Sequence, residues 1–526
     1  MDFISLLGTL ARSSAQAVST LARASDEIER FKDYLYVETE IEKQFVKVLS
    51  ATQNRHQIVF LCGSSGDGKS ELLKKYRESY ANKFDSHLDA THSFKPDQDA
   101  IQALNQLFDE HKTSDKPLVV GINIGMLLNF QNTAAEQHDD IKQAIARFVE
   151  GKRNFDHFNF LNFEDYPKFC LDEGKVGSEF ISELLARVTA DHPNNALFQA
   201  YKLDTSPDNS LARHNYLLLQ QPSVQQVIVR NLLHARLKFD QFFSTRALLD
   251  LIHHLVAGGL NLFDNLFASP KSGLASVLVS LDPCLIRTQK LDEFVVQQSL
   301  KIRDEAFEPF KEAYIEQFNG QEVRLTPSSW VRAFYVLQEV ECGNNYHQRF
   351  TQSFQQPLFD EYIQFWQLHQ TLSNKRQLRD FYDKHLIAAL LKFANRLVSK
   401  VVEDGIYLTE RNGVILSAKV RIAMDSKSLA QANHDRNIQS FYAALKVGDQ
   451  AISPFPITIS FLELARRILA GYRPNRHDKN TVVILEEVIE EIIRLASQSE
   501  EIRFHYEERR WWLRAEDDEF LVEASV

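Results

Sequence analysis

Residues 60–73 read FLCGSSGDGKSELL. An apolar run, a turn with three glycines and the opening of a helix follow one another directly. No other stretch constrains the fold as much. The run HQIVFLC is apolar without alternation, as a strand covered on both faces is. Glycine permits positive φ and brings no side chain, so backbone N–H groups can turn inward together. The helix behind adds the partial positive charge of its N-terminus. Together these features predict an anion-holding loop at the carboxyl end of a buried strand.

The neighbouring segments extend that pattern. SELLKKYRESYANKF reads as helix, SHLDATHSF as strand, DQDAIQALNQLFDEHK as helix and PLVVGINI as an apolar strand. HDDIKQAIARFVEG reads as helix and FNFLNFED as a further strand. Strand and helix in alternation predict a parallel sheet with helices on both faces. The chain has 526 residues, too many for one ordinary core. Five segments are expected: a helical N-terminal segment over 1–50, the α/β core over 51–205, a helical lid over 206–300, a further helical region over 301–400, and a mixed α+β region over 401–526. In the first, Ile4, Leu7, Leu10 and Ala11 share one helical face, and Ile41, Phe45, Val46 and Leu49 share another. In the last, GIYLTERNGVILSAKVRIAMD reads as a hairpin turning at Arg411-Asn412-Gly413, residues 456–499 as helix, and the tail as two or three antiparallel strands.

Gly63-Ser64-Ser65-Gly66-Asp67-Gly68-Lys69-Ser70 fits the pattern G-x-x-x-x-G-K-[ST]. Nucleotide phosphates are too bulky and too charged for an ordinary turn, and this spacing suits them. Lys69 is expected on the β- and γ-phosphates and Ser70 on Mg²⁺, with the loop holding ATP. The fold class expected is therefore an α/β P-loop NTPase core followed by a helical lid and a mixed C-terminal region.

Hydrolysis also needs an acid for magnesium and a group that orients water. PLVVGINI offers Asn123 at its end, a hydrogen-bonding group without charge. FNFLNFED offers Glu164 and Asp165 as catalytic acids, with Asp165 also a magnesium ligand. Asp89 is a further candidate. In the helical region, Ser244-Thr245-Arg246-Ala247-Leu248-Leu249 resembles the second-sensor helix of AAA+ ATPases, in which a small polar residue caps the helix and an arginine faces the γ-phosphate. Arg287 is a candidate arginine finger for a neighbouring subunit. Each has a plainer reading, as a solvated strand-end carboxylate or a surface arginine.

Composition excludes some alternatives. A net charge of -11 argues against a protein that coats nucleic acid by itself. Cys62, Cys170, Cys284 and Cys342 stand singly, which disfavours a zinc ribbon and fits a reduced, cytoplasmic setting. The N-terminus reads as an amphipathic helix without a basic leader, and no apolar run reaches the roughly 18 residues of a membrane span. His234, His253 and His254 lack suitably spaced metal-binding partners. Arg509, Arg510, Trp511, Trp512 and Arg514 mix base and aromatic, but among so many carboxylates they read rather as a solvated hairpin or a partner edge.

Several distinctive words add a resemblance: FLCGSSGDGKSELL, HLDATHSFKPDQDAI, PLVVGINIGML, NFEDYPKF, FFSTRALLDLI, and LFDNLF followed by DPCLIRT. Over about residues 20–300 the chain resembles the DptF (DndF) family of DNA phosphorothioation-dependent restriction proteins. The resemblance implies a bacterial antiviral defence subunit acting with DptG- and DptH-like partners on DNA that lacks backbone sulfur. DNA contact would come through the complex, with no membrane role and self-assembly left open. Two function classes stay open: an ATP-hydrolysing subunit, and a nucleotide switch or scaffold that hydrolyses little. A direct DNA-cutting enzyme has no residue set to name.

Overall fold

The computed structural model describes residues 2–11, 26–52, 54–63, 67–80, 82–87, 99–268, 273–318, 325–398, 405–434, 436–498, 501–507, 509–516 and 519–524. The chain divides into two compact units. One comprises Met1–Phe169, Ser178–Leu232 and Phe242–Phe354, and the other Cys170–Gly177, Leu233–Gln241 and Gln355–Val526.

The first unit is built on β1 (Ile58–Gly63), β2 (Asp85–His87), β3 (Leu118–Asn123), β4 (Asn154–Phe155) and β5 (Phe158–Asn162), in the order β2-β3-β1-β5-β4. β1 runs parallel to β3 and β5, and β2 parallel to β3, while β4 is an antiparallel edge on β5. From β1 the chain travels to the β2 edge, returns to β3, then crosses to β5 on the other side of β1. The strand order thus reverses around β1, and in open sheets such a reversal opens a crevice outside the carboxyl ends.

Helices cover both faces. The helices Glu40–Ala51 and Lys69–Tyr80 pack Ile41, Phe45, Leu72 and Leu73 against Val59, Leu61, Val119 and Leu161. The helices Ala100–Thr113, Ile124–Thr133 and Asp139–Val149 pack Phe108, Phe130, Ile145 and Phe148 against Phe60, Val120, Ile122 and Phe160. The Phe160 ring lies between Phe60 and Phe148, at centroid distances of 4.8 and 4.7 Å. Every residue of β1 is buried, which is why the strand shows no alternation.

Three details differ from the sequence reading. β3 stops at Asn123, because the Asn123 side chain accepts a hydrogen bond from the Met126 N–H and starts the helix Ile124–Thr133 at once. β5 stops at Asn162, so Glu164 and Asp165 occupy a 3-10 turn, Phe163–Asp165, rather than a strand end. β4 was not expected. Of the strand expected over SHLDATHSF only Ser86 and His87 are described, and Asp89 lies outside the described residues.

Beyond the sheet, the first unit is helical among the described residues from Glu179 to Phe354. Its packing includes a nearly buried ion-pair cluster, in which Arg332 meets Asp264 at 2.9 Å and Asp282 at 2.7 Å. In the second unit Gly405–Arg411 and Val414–Lys419 form the expected hairpin, with Asn412 at φ 52° and Gly413 at φ 79°. Glu501–Tyr506, Arg509–Glu516 and Glu519–Ala524 extend it to five antiparallel strands. The architecture is therefore mixed α/β, with a largely parallel sheet first and an antiparallel sheet last. No helix among the described residues is long and apolar enough to cross a membrane.

Candidate functional site

The glycine-rich loop leaves β1 at Gly63 and re-enters regular structure at Lys69. Ser64, Ser65 and Gly66 lie outside the described residues. The flanking positions show what the loop requires. A Cβ on Gly63 would stand 2.5 Å from the Asp67 carboxylate and 3.0 Å from the Phe163 side chain, so a larger residue would have to displace both. Gly68 has φ +102°, a conformation that other residues adopt only under strain. Its carbonyl accepts from the Leu72 N–H at 2.9 Å and opens the helix Lys69–Tyr80. The first N–H groups of such a helix have no intrahelical acceptor. The Lys69 ammonium donates to the Gly63 carbonyl at 3.1 Å, and Ser70 lies in the first turn of the helix.

Parallel register brings the neighbouring strand ends level with the loop. Gly63 stands beside Asn123 on β3, and Cys62 beside Asn162 on β5. Asn123 spends its side-chain oxygen on the helix cap, which leaves its amide nitrogen to serve a ligand. Buried Asn162 caps the acidic turn by accepting from the Glu164 N–H at 3.3 Å. Glu164 is exposed. Asp165 is engaged by Arg153, which meets one carboxylate oxygen at 2.5 Å and the other at 3.0 Å. Burial pushes the Cys62 thiol above its ordinary value, Lys69 and Arg153 oppose that, and Asp165 adds to it. Lys69, Arg153 and Asp165 therefore all lie within electrostatic reach of the end of β1.

The helix that carries Arg246 is tied at its start to the segment after Asp165. Ser244 caps the helix Thr245–Ala257 as expected, accepting from the Ala247 N–H at 3.1 Å. Just before the cap, the Phe243 carbonyl accepts from the Lys168 ammonium at 2.8 Å, and the Phe243 ring meets Phe169 edge-on at 5.3 Å. The segment after Asp165 thus fastens the start of the helix that carries Arg246. The Arg246 side chain is about one-third exposed and lies 3.7 Å from Asp250 one turn along. Arg287 is strongly exposed and pairs with Asp292 at 3.0 Å. His254 bonds the Asn265 carbonyl, and no group of three or more metal-ligating side chains occurs among the described residues.

Arg153, Asn162 and Lys168 were not anticipated. Asn162 carried a signal, a polar residue closing an apolar strand beside the loop strand. Arg153 and Lys168 carried none, since their roles depend on partners brought close by the fold. No protein-family model matches the chain, and no curated protein does.

Proposed function

We propose that the chain is an ATP-binding and ATP-hydrolysing subunit of a bacterial DNA restriction complex, built on a P-loop NTPase core. The observation that carries nucleotide binding is the loop itself. The sequence Gly63–Ser70 leaves the central strand of a largely parallel sheet at the point of order reversal, with Gly63 closely packed, Gly68 at positive φ and the Lys69 ammonium on the Gly63 carbonyl. The donors fit a triphosphate: backbone N–H groups at a helix N-terminus, one ammonium and one hydroxyl. Lys69 would bind the β- and γ-phosphates, and Ser70 with the acidic turn would hold magnesium. Magnesium, when bound, supplies charge neutralisation between the phosphates. Asn123 would orient water or the γ-phosphate through its amide nitrogen, and Arg246 would report the γ-phosphate to its helix.

The restriction role rests on the resemblance to the DptF family, with DptG- and DptH-like partners and DNA reached through the complex. A specific observation favours the second reading, a switch that hydrolyses little: Asp165 is already paired with Arg153. Two measurements separate the alternatives. Lys69→Ala should weaken Mg·ATP binding by roughly 100-fold or more and abolish restriction of unmodified DNA, with the thermal transition unchanged. Equal ATP affinity in that variant would remove the nucleotide reading. Phosphate release by the isolated wild-type chain then distinguishes an ATPase from a switch.

A further inference from the structure

The turn after β5 presents two adjacent carboxylates beside the loop, and they are held differently. Asp165 commits both oxygens to Arg153 in a bidentate pair, with a long 3.5 Å contact from the Asn162 amide. Arg153 is itself fixed. It donates to the Phe148 carbonyl at 2.9 Å, its guanidinium lies 4.6 Å from the centre of the Phe148 ring, and its own carbonyl accepts from the Phe160 N–H at 2.8 Å. One arginine thus ties the turn to the end of the helix Asp139–Val149 and to β5. Glu164 is exposed like its neighbour, but it does not share the Arg153 pair and is anchored through its backbone N–H. It stands one residue beyond Phe163, whose side chain packs against Gly63.

We propose that Arg153 is a positioning residue that divides the roles of the acidic pair: it locks Asp165 as the anchor of the turn and leaves Glu164 as the carboxylate that serves magnesium and nucleotide. The inference rests on the nucleotide reading and reassigns the metal role expected for Asp165. The reason is competition. A carboxylate in a fork-to-fork guanidinium pair is neutralised and geometrically satisfied, so a metal must break two charge-assisted bonds to claim it. Magnesium in nucleotide sites keeps several waters and takes only one or two protein carboxylates. Ser70 and one longer, free acid are sufficient. Lysine could not replace Arg153, because a point charge does not hold both oxygens of Asp165 in a fixed plane.

The test is equilibrium titration of the full chain with a fluorescent ATP analogue, with magnesium and with chelator, so that no turnover is needed. Magnesium should tighten wild-type binding. Glu164→Gln should erase most of that enhancement, on the order of 100-fold, while leaving chelated affinity within about twofold. Asp165→Asn and Arg153→Gln should each reduce the enhancement by only about 10-fold, and the double variant should lose no more than either alone. Arg153→Lys, which keeps the charge and guards against a variant that does not fold, should show the same partial loss. Erasure of the enhancement by Asp165→Asn with its retention in Glu164→Gln would overturn the proposal, as would wild-type behaviour of both Arg153 variants. Lys69→Ala, run alongside, tells the two readings apart. If it binds like wild type, the nucleotide reading fails and this inference falls with it. If it does not, only the division of the acids is at stake.

Discussion

The two sheets of this chain obey different rules. In the first unit the central strands run parallel, and β1 is buried along its whole length. In the second unit the strands alternate in direction, and burial fades across one row of neighbours: Ile406 is 1% exposed, Ala418 0%, Ile502 and Leu513 intermediate, and Val522 62%. Polar pairs sit within this second sheet, such as Ser417 with His505 at 2.9 Å and Glu501 between Arg503 and Arg514 at 3.0 and 3.1 Å. Direction decides what each sheet can gather. Parallel strands end on one edge, so Gly63, Asn123 and Asn162 converge within one step of register. Antiparallel strands send successive ends to opposite edges and bring no such set together.

The sharpest way to break this contrast is to cut a core ring from β1. Phe60 is fully buried and stacked on Phe160, so Phe60→Ala should cost about 3–5 kcal/mol. The readout is hydrogen exchange of the β1 and β3 amides, because a chain of two units has no single unfolding free energy. Protection as in the wild type would mean that the parallel sheet is not the rigid base assumed for the loop.

A second test asks how the loop helix is held. Glu42 is fully buried on the helix Glu40–Ala51. It accepts from Lys75 at 2.7 Å and Tyr76 at 2.8 Å, both on the loop helix, and from Tyr36 at 2.7 Å. Burial pushes the Glu42 carboxyl up, but the three hydrogen bonds and the Lys75 charge outweigh it and hold the group below its ordinary value. The native state therefore favours the ionised form. The stabilisation is complete above the ordinary glutamate range and is lost as pH falls through the lowered native value. Glu42→Gln should destabilise the first unit by about 1–3 kcal/mol at neutral pH, with the difference from wild type shrinking in acid. A constant difference across pH 3–7, read from hydrogen exchange of the helix Lys69–Tyr80 amides, would show that the charge of Glu42 is irrelevant.

Smaller effects are expected in the antiparallel sheet. Gly413 holds a left-handed turn position where a Cβ would make an ordinary 3.6 Å contact with the Tyr506 ring, so Gly413→Ala should cost about 1 kcal/mol, chiefly through backbone strain. Val522→Ser, at the exposed end of the row, should shift stability by less than about 0.5 kcal/mol. A loss at Val522 as large as that at Phe60 would mean that something covers the outer strand in solution.

Much of the first sheet was legible because its signals are local. Apolar runs announced β1 and β3, the phenylalanine-rich FNFLN announced β5, and the glycines and Lys69 marked the loop between strand and helix. The hairpin at Asn412-Gly413 was legible for a similar reason, since positive φ at two successive positions selects those residues. Glu42 was not, because a carboxylate on a helix reads as solvated until its partners are known. Val46, expected on the buried face of the same helix, is only half-buried, and Ile4 is exposed.

The sequence by itself determined the elements and the motif: propensity, periodicity and turn chemistry act over a few residues and leave their mark there. Only the tertiary structure decided which strands flank the loop, that the acids lie in a turn beyond β5, and that Arg153 holds Asp165 and not Glu164. Those outcomes depend on electrostatic and packing contacts between groups far apart in the chain. Lys75 lies 33 residues from Glu42, and Phe243 lies 75 from Lys168. Pairings over such spans leave no periodic trace, because folding, and not spacing, brings the partners together.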